Sequence, residues 1–179
     1  ARRYNILIGI GICEKEGDKI YDSAVLIDAT GKILLKHRKI NILSHLMEKP
    51  YILGKKEDIS AVNTSVGRIG MMICADCFVD EHLEIMKRKK PDFVYIPYGW
   101  AHQKEGWPEH GFKLLKTVQK VSMRIGVVVI GPNLVGEVTH GPWQGYTYEG
   151  MSTAVDGKGV LLVQGMYNRE DVIVFDVPM

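Results

Sequence analysis

A cysteine at the end of an apolar segment is the residue of this chain best placed to do chemistry. Segment 67–73 has the composition of a buried strand, Cys74 follows it, and segment 79–89 carries a helical pattern. Backbone N–H groups at the start of a helix stabilise a thiolate and an oxyanion. Cys74 is therefore a candidate nucleophile, although a buried structural cysteine would have the same local sequence.

The same cysteine also begins a C-x-x-C motif. Cys74 and Cys77 have the spacing of a thioredoxin-like redox site or of half a zinc site. The strands that precede the motif fit a redox domain poorly, and no second C-x-x-C or spaced Cys/His pair completes four zinc ligands. We therefore predict no metal and no cofactor. Serine substitutions separate the alternatives, since hydrolysis should need only Cys74 and redox chemistry should need both thiols.

Composition limits the class of protein. The chain has 179 residues, 46% hydrophobic and 25% charged, with a net charge of +2, which fits one globular domain. This charge is too small to indicate a nucleic acid or membrane partner. Its 3 cysteines cannot all pair within one chain, which favours a reducing, cytoplasmic location. No apolar run is long enough to span a membrane, and the residues at the start of the sequence lead us to expect no signal peptide.

Strands and helices alternate irregularly along the sequence. Hydrophobic periodicity and turn signals predict helices over 79–89 and 109–124, with the second burying positions 112, 115, 118 and 121–122. They predict strands over 4–13, 19–28, 32–39, 69–74, 93–97, 127–130, 152–155, 160–164 and 172–177. Segment 131–148 is predicted as a Gly- and aromatic-rich loop. The order indicates an α/β or α+β protein, with a single domain over 1–179.

Three motifs occur in a specific order along the chain. They are Asp22-Ser23-Ala24 with His37-Arg38-Lys39, then Gly67-Arg68-Ile69-Gly70 with Ile73-Cys74, and finally Glu149-Gly150-Met151-Ser152 before Asp156-Gly157-Lys158-Gly159. This order resembles the nitrilase superfamily, the carbon–nitrogen hydrolases. Their pattern runs from an N-S-A hairpin to R-K, then G-x-I-G to I-C, then G-x-S before a D-x-x-G hairpin. The resemblance covers essentially the whole chain.

The resemblance implies a fold and a reaction. The fold would be a four-layer α-β-β-α sandwich, assembled into a homo-oligomer, a dimer or larger. The reaction would be hydrolysis of a small amide, carbamoyl or nitrile substrate by a Glu-Lys-Cys triad, through a covalent thioester-type intermediate. Amide hydrolysis is preferred over nitrile hydrolysis only because the amidase and carbamoylase branches are the more numerous.

The family's functional residues can be carried over to matching positions. By resemblance, Cys74 is the nucleophile, Lys39 stabilises the tetrahedral anion, and Glu48 is the second glutamate that orients the lysine. The amide of Ala75 would donate to the oxyanion. The acyl pocket would be formed near Tyr98, Gly99 and Trp100. The central expectation is that Lys39 and Cys74 lie beside each other.

One family residue has no match. The general-base glutamate lies upstream of the first hairpin in the family, and no residue here can take its role. Two explanations are open. The domain is N-terminally incomplete and catalytically impaired, or the chain is a degenerate member with a binding or assembly role. The presence of both Cys74 and Lys39 favours the first.

Overall fold

The computed structural model describes residues 1–42, 51–141 and 143–177. Two compact units divide the chain, Ala1–Tyr95 and Ile96–Met179. The described residues form two α-helices and twelve β-strands, so the predicted mixed α/β class is confirmed. Neither of these helices is long and apolar enough to cross a membrane.

The first unit contains a three-stranded antiparallel sheet. Its strands are β1 (Ile8–Glu16), β2 (Lys19–Ile27) and β3 (Ile33–Arg38), with β2 in the centre. The turn between β2 and β3 is stabilised by residues of the turn itself. The Asp28 carboxylate accepts hydrogen bonds from the backbone N–H groups of residues 30 and 32. Gly31 in that turn has a φ of +82°, which a glycine adopts without strain. Both strands of this hairpin were predicted within one or two residues.

A charged cluster ties the three strands together. Glu14 on β1 accepts two hydrogen bonds from Arg38, at 3.0 and 2.7 Å, one from Lys36 at 2.5 Å and one from the buried Ser23 hydroxyl at 2.7 Å. The hydrogen bonds from Arg38 hold the pKa of Glu14 well below its ordinary value, although burial opposes this. The cluster fixes the end of β3, immediately before Lys39.

A second sheet of this unit leads to the cysteine. It contains β4 (Ala61–Thr64), β5 (Gly67–Met71) and β6 (Phe93–Tyr95); β5 pairs with β4 in the antiparallel and with β6 in the parallel sense. The chain passes from β5 through a 3-10 helix, Cys74–Phe78, to α1 (Asp80–Arg88), which buries Leu83 and Met86. Strand β4 was not predicted.

The second unit packs one helix with short strands. Helix α2 spans Glu109–Ile125 and ends at Gly126, whose φ is +87°. One sheet has the order β12-β11-β8 and the other the order β7-β10-β9. Their strands are β7 (Ala101–His102), β8 (Val128–Gly131), β9 (Val135–Glu137), β10 (Thr147–Glu149), β11 (Thr153–Val155) and β12 (Leu161–Gln164).

Three predictions for the second unit were wrong. Segment 131–148 contains β9 and the start of β10 instead of only loop. Segment 172–177 has no strand; Val172 and Val174 are each 89% exposed, since β-propensity without a pairing strand does not form a sheet. The buried face of α2 includes Gly111 and Leu114, whereas Phe112 is 49% exposed.

Candidate active site

Cys74 lies on a strained turn between a strand and a helix. After β5, the buried Met72 and Ile73 lead to Cys74, the first residue of the 3-10 helix. Its φ is 41°, in the left-handed region that residues other than glycine rarely adopt. Cys74 is half-buried, while the next residue, Ala75, is fully buried. The backbone thus presents the thiol at a fixed point with access to solvent.

The carboxylate of Asp76 connects this turn to the segment after β3. It accepts hydrogen bonds from the backbone N–H groups of Ile73 at 3.1 Å, Ile40 at 2.9 Å and Asn41 at 2.7 Å. His37 Nε2 donates to it at 2.8 Å. The four donors come from two distant parts of the chain, so Asp76 holds the residues beside Lys39 against the turn that carries Cys74.

These donors keep Asp76 ionised although it is fully buried. Burial raises its pKa, but the hydrogen bond and charge of His37 and the N–H groups of Asn41 and Ile40 lower it more. The net effect is a pKa below the ordinary aspartate value. The 3-10 helix is further held by the Asn41 side chain, which donates to the carbonyl of Ala75 at 2.8 Å.

Lys39 is a buried cation beside the candidate nucleophile. Its Nζ lies 3.1 Å from Asp22 Oδ2, and its side chain is only 8% exposed. Burial lowers the pKa of Lys39, but the negative charges of Cys74, Asp22 and Asp76, in that order, raise it above its ordinary value. Cys74 therefore lies within Coulombic range of the Lys39 ammonium. This charge effect supports the prediction that the two residues are neighbours.

Further polar residues surround Lys39. Tyr51 is half-buried and has a hydrogen bond with Cys13; burial raises its pKa, and the charges of Cys13 and Asp22 add to this while Lys39 opposes it. Cys13 is the cross-strand partner of Asp22. The sequence analysis did not identify Asp22 or Tyr51 as site residues. The one sequence feature that pointed to Asp22 was its place in the Asp22-Ser23-Ala24 motif.

The remaining predicted site residues are Glu48 and three residues of the second unit. Glu48 is outside the described residues. Tyr98, Gly99 and Trp100 lie in the second unit, where the backbone N–H of Tyr98 donates to the Pro132 carbonyl at 2.8 Å. The rings of Tyr98 and Trp100 meet edge to face with centroids 6.0 Å apart. Their contribution to an acyl pocket stays a prediction.

An aromatic cluster accompanies Trp100 in the second unit. His110 stacks on Trp100 with ring centroids 5.2 Å apart and lies 4.6 Å from His102 and 5.4 Å from Trp107. Burial, together with the charges of His102 and Lys113, lowers the pKa of His110 to about 4, although a hydrogen bond with the Ala101 backbone opposes this. These rings pack mainly against one another.

The described residues offer no metal site. In residues 1–42, 51–141 and 143–177, no group of three or more His, Cys, Asp or Glu side chains could hold an ion. Cys13, Cys74 and Cys77 form no disulfide. The chemistry available in the first unit is that of a thiol, a buried ammonium and the carboxylates that hold it.

Comparison with known proteins identifies the family. The family model described as carbon-nitrogen hydrolase matches residues 1–179. This chain belongs to the carbon-nitrogen hydrolase family. The resemblance to the nitrilase superfamily, predicted from three motifs, is therefore confirmed.

Curated relatives of this hydrolase chain include amidases and nitrilases. The chloroplastic omega-amidase of Arabidopsis thaliana is 27% identical over 179 residues, which cover 96% of this chain and 45% of the plant protein. The aliphatic nitrilase of Rhodococcus rhodochrous is 32% identical over 78 residues, 44% of this chain and 21% of that enzyme. The chain thus spans less than half the length of these two relatives.

Solved structures of carbon-nitrogen hydrolases have the same fold. The enzyme from Helicobacter pylori G27 matches with a TM-score of 0.82 and 22% identity, over 95% of this chain and 61% of that one. A variant of the amidase from Nesterenkonia sp. AN1 matches with a TM-score of 0.73 and 17% identity, over 93% and 59%. That variant carries the acetamide moiety of fluoroacetamide on its active-site cysteine. The predicted nitrilase-type fold is confirmed.

Proposed function

We propose that this chain hydrolyses the carbon–nitrogen bond of a small amide, with Cys74 as the nucleophile. The observation that carries the proposal is the buried Lys39 ammonium, whose charge is favoured most by Cys74. A cation held beside a thiol stabilises both the thiolate and the oxyanion that forms when the thiolate attacks. Neither role is needed by a structural cysteine.

With Cys74, Lys39 and the Ala75 N–H, each bond and each proton in the hydrolysis is accounted for. Cys74 Sγ bonds to the carbonyl carbon, and the carbonyl oxygen becomes an oxyanion that Lys39 and the Ala75 N–H stabilise. The carbon–nitrogen bond then breaks, and the proton that the thiol lost when it became a thiolate ends on the leaving nitrogen. Water attacks the resulting thioester, which releases the carboxylic acid and restores the thiol. Glu48 remains our candidate for orienting Lys39.

The extent of the matches favours an amide over a nitrile. Omega-amidase relatives align over 94% to 96% of this chain, whereas the nitrilase relatives align over 41% to 44%. The similarity to amidases thus extends through both units. We infer an amide substrate on this ground, with carbamoyl and nitrile substrates as the alternatives.

We also infer a reducing, cytoplasmic location, which three cysteines outside disulfides, one of them exposed, support. Assembly into a homo-oligomer stays part of the proposal and rests on the family resemblance. Gel filtration with light scattering tests it.

Fluoroacetamide labelling followed by peptide mass spectrometry tests the proposal. Cys74 should be modified about tenfold faster than Cys13, because the cation beside it raises its nucleophilicity. The comparison is stringent, since Cys13 is the exposed thiol and Cys77 is buried. Cys77→Ser should leave the labelling of Cys74 unchanged.

A second measurement links labelling to turnover. Short aliphatic amides and the corresponding nitriles are compared by ammonia release, with Cys74→Ser as the inactive control. Faster release from amides supports the proposal. Labelling that is fastest at Cys13, together with no ammonia release, would indicate a non-catalytic binding or assembly protein.

A further inference from the structure

Asp22 and Lys39 are connected by one backbone and one side-chain hydrogen bond. The backbone N–H of Lys39 donates to the Asp22 carbonyl at 2.8 Å, and its ammonium lies 3.1 Å from Asp22 Oδ2. The strand register explains the double contact, because Ser23 pairs with Arg38 and the next pair outward is Asp22 with Lys39. The backbone itself therefore aligns Asp22 with the ammonium of Lys39.

The geometry points to Asp22 as the residue that holds Lys39 in position and keeps it charged while Cys74 carries an acyl group. This inference rests on the proposed function. Asp22 is a positioning residue, since it acts on the substrate only through the lysine. The family pattern has asparagine at this place, so the role belongs to the aspartate of this chain.

Before the reaction, burial and nearby charges act on Lys39 in opposite directions. Burial works against its ammonium, and three negative groups oppose this, with Cys74 first and Asp22 second. When Cys74 becomes a thioester, its negative charge disappears. The largest contribution that keeps the buried ammonium charged is then lost, although the second oxyanion still needs a cation.

Asp76 and Tyr51 also interact electrostatically with Lys39. Asp76 is the third anion, but four hydrogen bonds from other groups already hold its carboxylate. Tyr51 has a raised pKa, because of burial and the charges of Cys13 and Asp22, so it stays neutral near neutral pH. Asp22 combines its negative charge with a direct hydrogen bond from the ammonium, at 3.1 Å.

Asp22 is also the more exposed member of the pair. Its side chain is 29% exposed, against 8% for Lys39, so it keeps contact with water while the lysine does not. A partly hydrated carboxylate loses less solvation than a buried one. Asp22 therefore keeps more contact with solvent than the buried Lys39 ammonium does.

The test compares the amine reactivity of Lys39 in two states of Cys74. Asp22→Asn removes the charge and keeps the shape of the side chain. Each protein is studied with Cys74 free and with Cys74 alkylated by iodoacetamide, a neutral adduct that stands in for the acyl group. Labelling of Lys39 by an amine reagent is measured by peptide mass spectrometry from pH 7 to 10. Asp18→Asn, at the exposed turn after β1, is the control.

With Cys74 alkylated, Asp22→Asn should raise Lys39 labelling at pH 8 about tenfold, which corresponds to about one unit of lysine pKa. With Cys74 free the rise should be smaller, because the thiolate still balances the charge. Asp22→Glu should restore low reactivity, and Asp18→Asn should change nothing. A structural loosening would instead raise labelling equally in both states of Cys74, and this result, or no rise at all, overturns the inference.

Turnover separates this inference from the proposed function. Asp22→Asn should keep the first burst of amine release and slow acid release increasingly above neutral pH. A wild-type chain that forms no acyl intermediate refutes the proposed function, while the labelling experiment still decides whether Asp22 keeps Lys39 charged. Should Asp22→Asn unfold, which equal labelling of all lysines reveals, Asp22→Ser takes its place in the same comparison.

Discussion

The imidazole of His37 and the carboxylate of Asp76 lie 2.8 Å apart although 39 positions separate them in the chain. Both side chains are almost completely buried, 1% and 0% exposed. Because His37 is two residues before Lys39 and Asp76 is two residues after Cys74, this contact positions both candidate catalytic residues. One carboxylate therefore connects the cation to the thiol.

Replacing Asp76 with asparagine should be strongly destabilising. The carboxylate accepts hydrogen bonds from the backbone N–H groups of Ile73, Ile40 and Asn41, and an amide would turn a donor towards one or more of them. We expect a loss of about 3 kcal/mol in the free energy of unfolding, measured by urea denaturation. Asp58→Asn, at an exposed aspartate, should lose less than about 0.5 kcal/mol. Equal losses in the two variants would contradict this role.

Lys39→Met should slow alkylation of Cys74 about tenfold at pH 7, since the thiolate loses its neighbouring cation. The measurement is the rate of iodoacetamide incorporation, followed by peptide mass spectrometry. Lys36→Met removes a lysine from β3 that contacts Glu14, and it should leave the rate unchanged. An unchanged rate in Lys39→Met would mean that the lysine does not act on the thiol.

Gly54→Ala should disturb the position of Lys39 without touching its side chain. The backbone N–H of Gly54 donates to the Lys39 carbonyl at 2.9 Å, and an added Cβ would overlap the Arg38 carbonyl oxygen. We expect a loss of about 2 kcal/mol in stability and slower alkylation of Cys74. Gly17→Ala tests an open turn with a positive φ; it should cost about 1 kcal/mol and leave alkylation unaffected.

His110 should make the fold less stable at mildly acidic pH. Its pKa is lowered to about 4, chiefly by burial, whereas an unfolded histidine titrates near 6.5. Between these values the unfolded state binds more protons, so stability falls as the pH drops from about 6.5 to about 4 and this contribution changes no further below that. Partial exposure reduces the expected effect to about 1–2 kcal/mol.

Urea denaturation from pH 4 to 7 measures this contribution. His110→Gln should flatten the pH dependence across that interval relative to the wild type. His140→Gln, at an exposed histidine, should retain the full slope. A wild-type slope in His110→Gln would show that other groups cause the loss of stability.

Elements with local causes were predictable from the sequence. The hairpin of β2 and β3 follows from a turn that the Asp28 side chain and Gly31 form by themselves. Helix α1 begins and ends within one residue of its prediction, because its acidic first turn, apolar face and following proline are all sequence signals. The motifs then identified Cys74 and Lys39 through resemblance.

Features that depend on distant contacts were not predictable. Helix α2 buries a different face from the predicted one, because Gly111 packs against Met151 and Trp107. Hydrophobic periodicity does not identify a glycine as a buried position. Segment 172–177 has strand-forming residues but no partner strand among the described residues. Asp22 could not be recognised as the partner of Lys39, since the register that aligns them appears only in the folded sheet.

The left-handed backbone of Cys74 has a consequence for laboratory evolution. At a φ of 41°, a side chain costs about 1 kcal/mol relative to glycine. A library screened for heat resistance alone would therefore enrich glycine at position 74 and discard the thiol. Selection for thermal tolerance in this protein has to be combined with a screen for reactivity at every round.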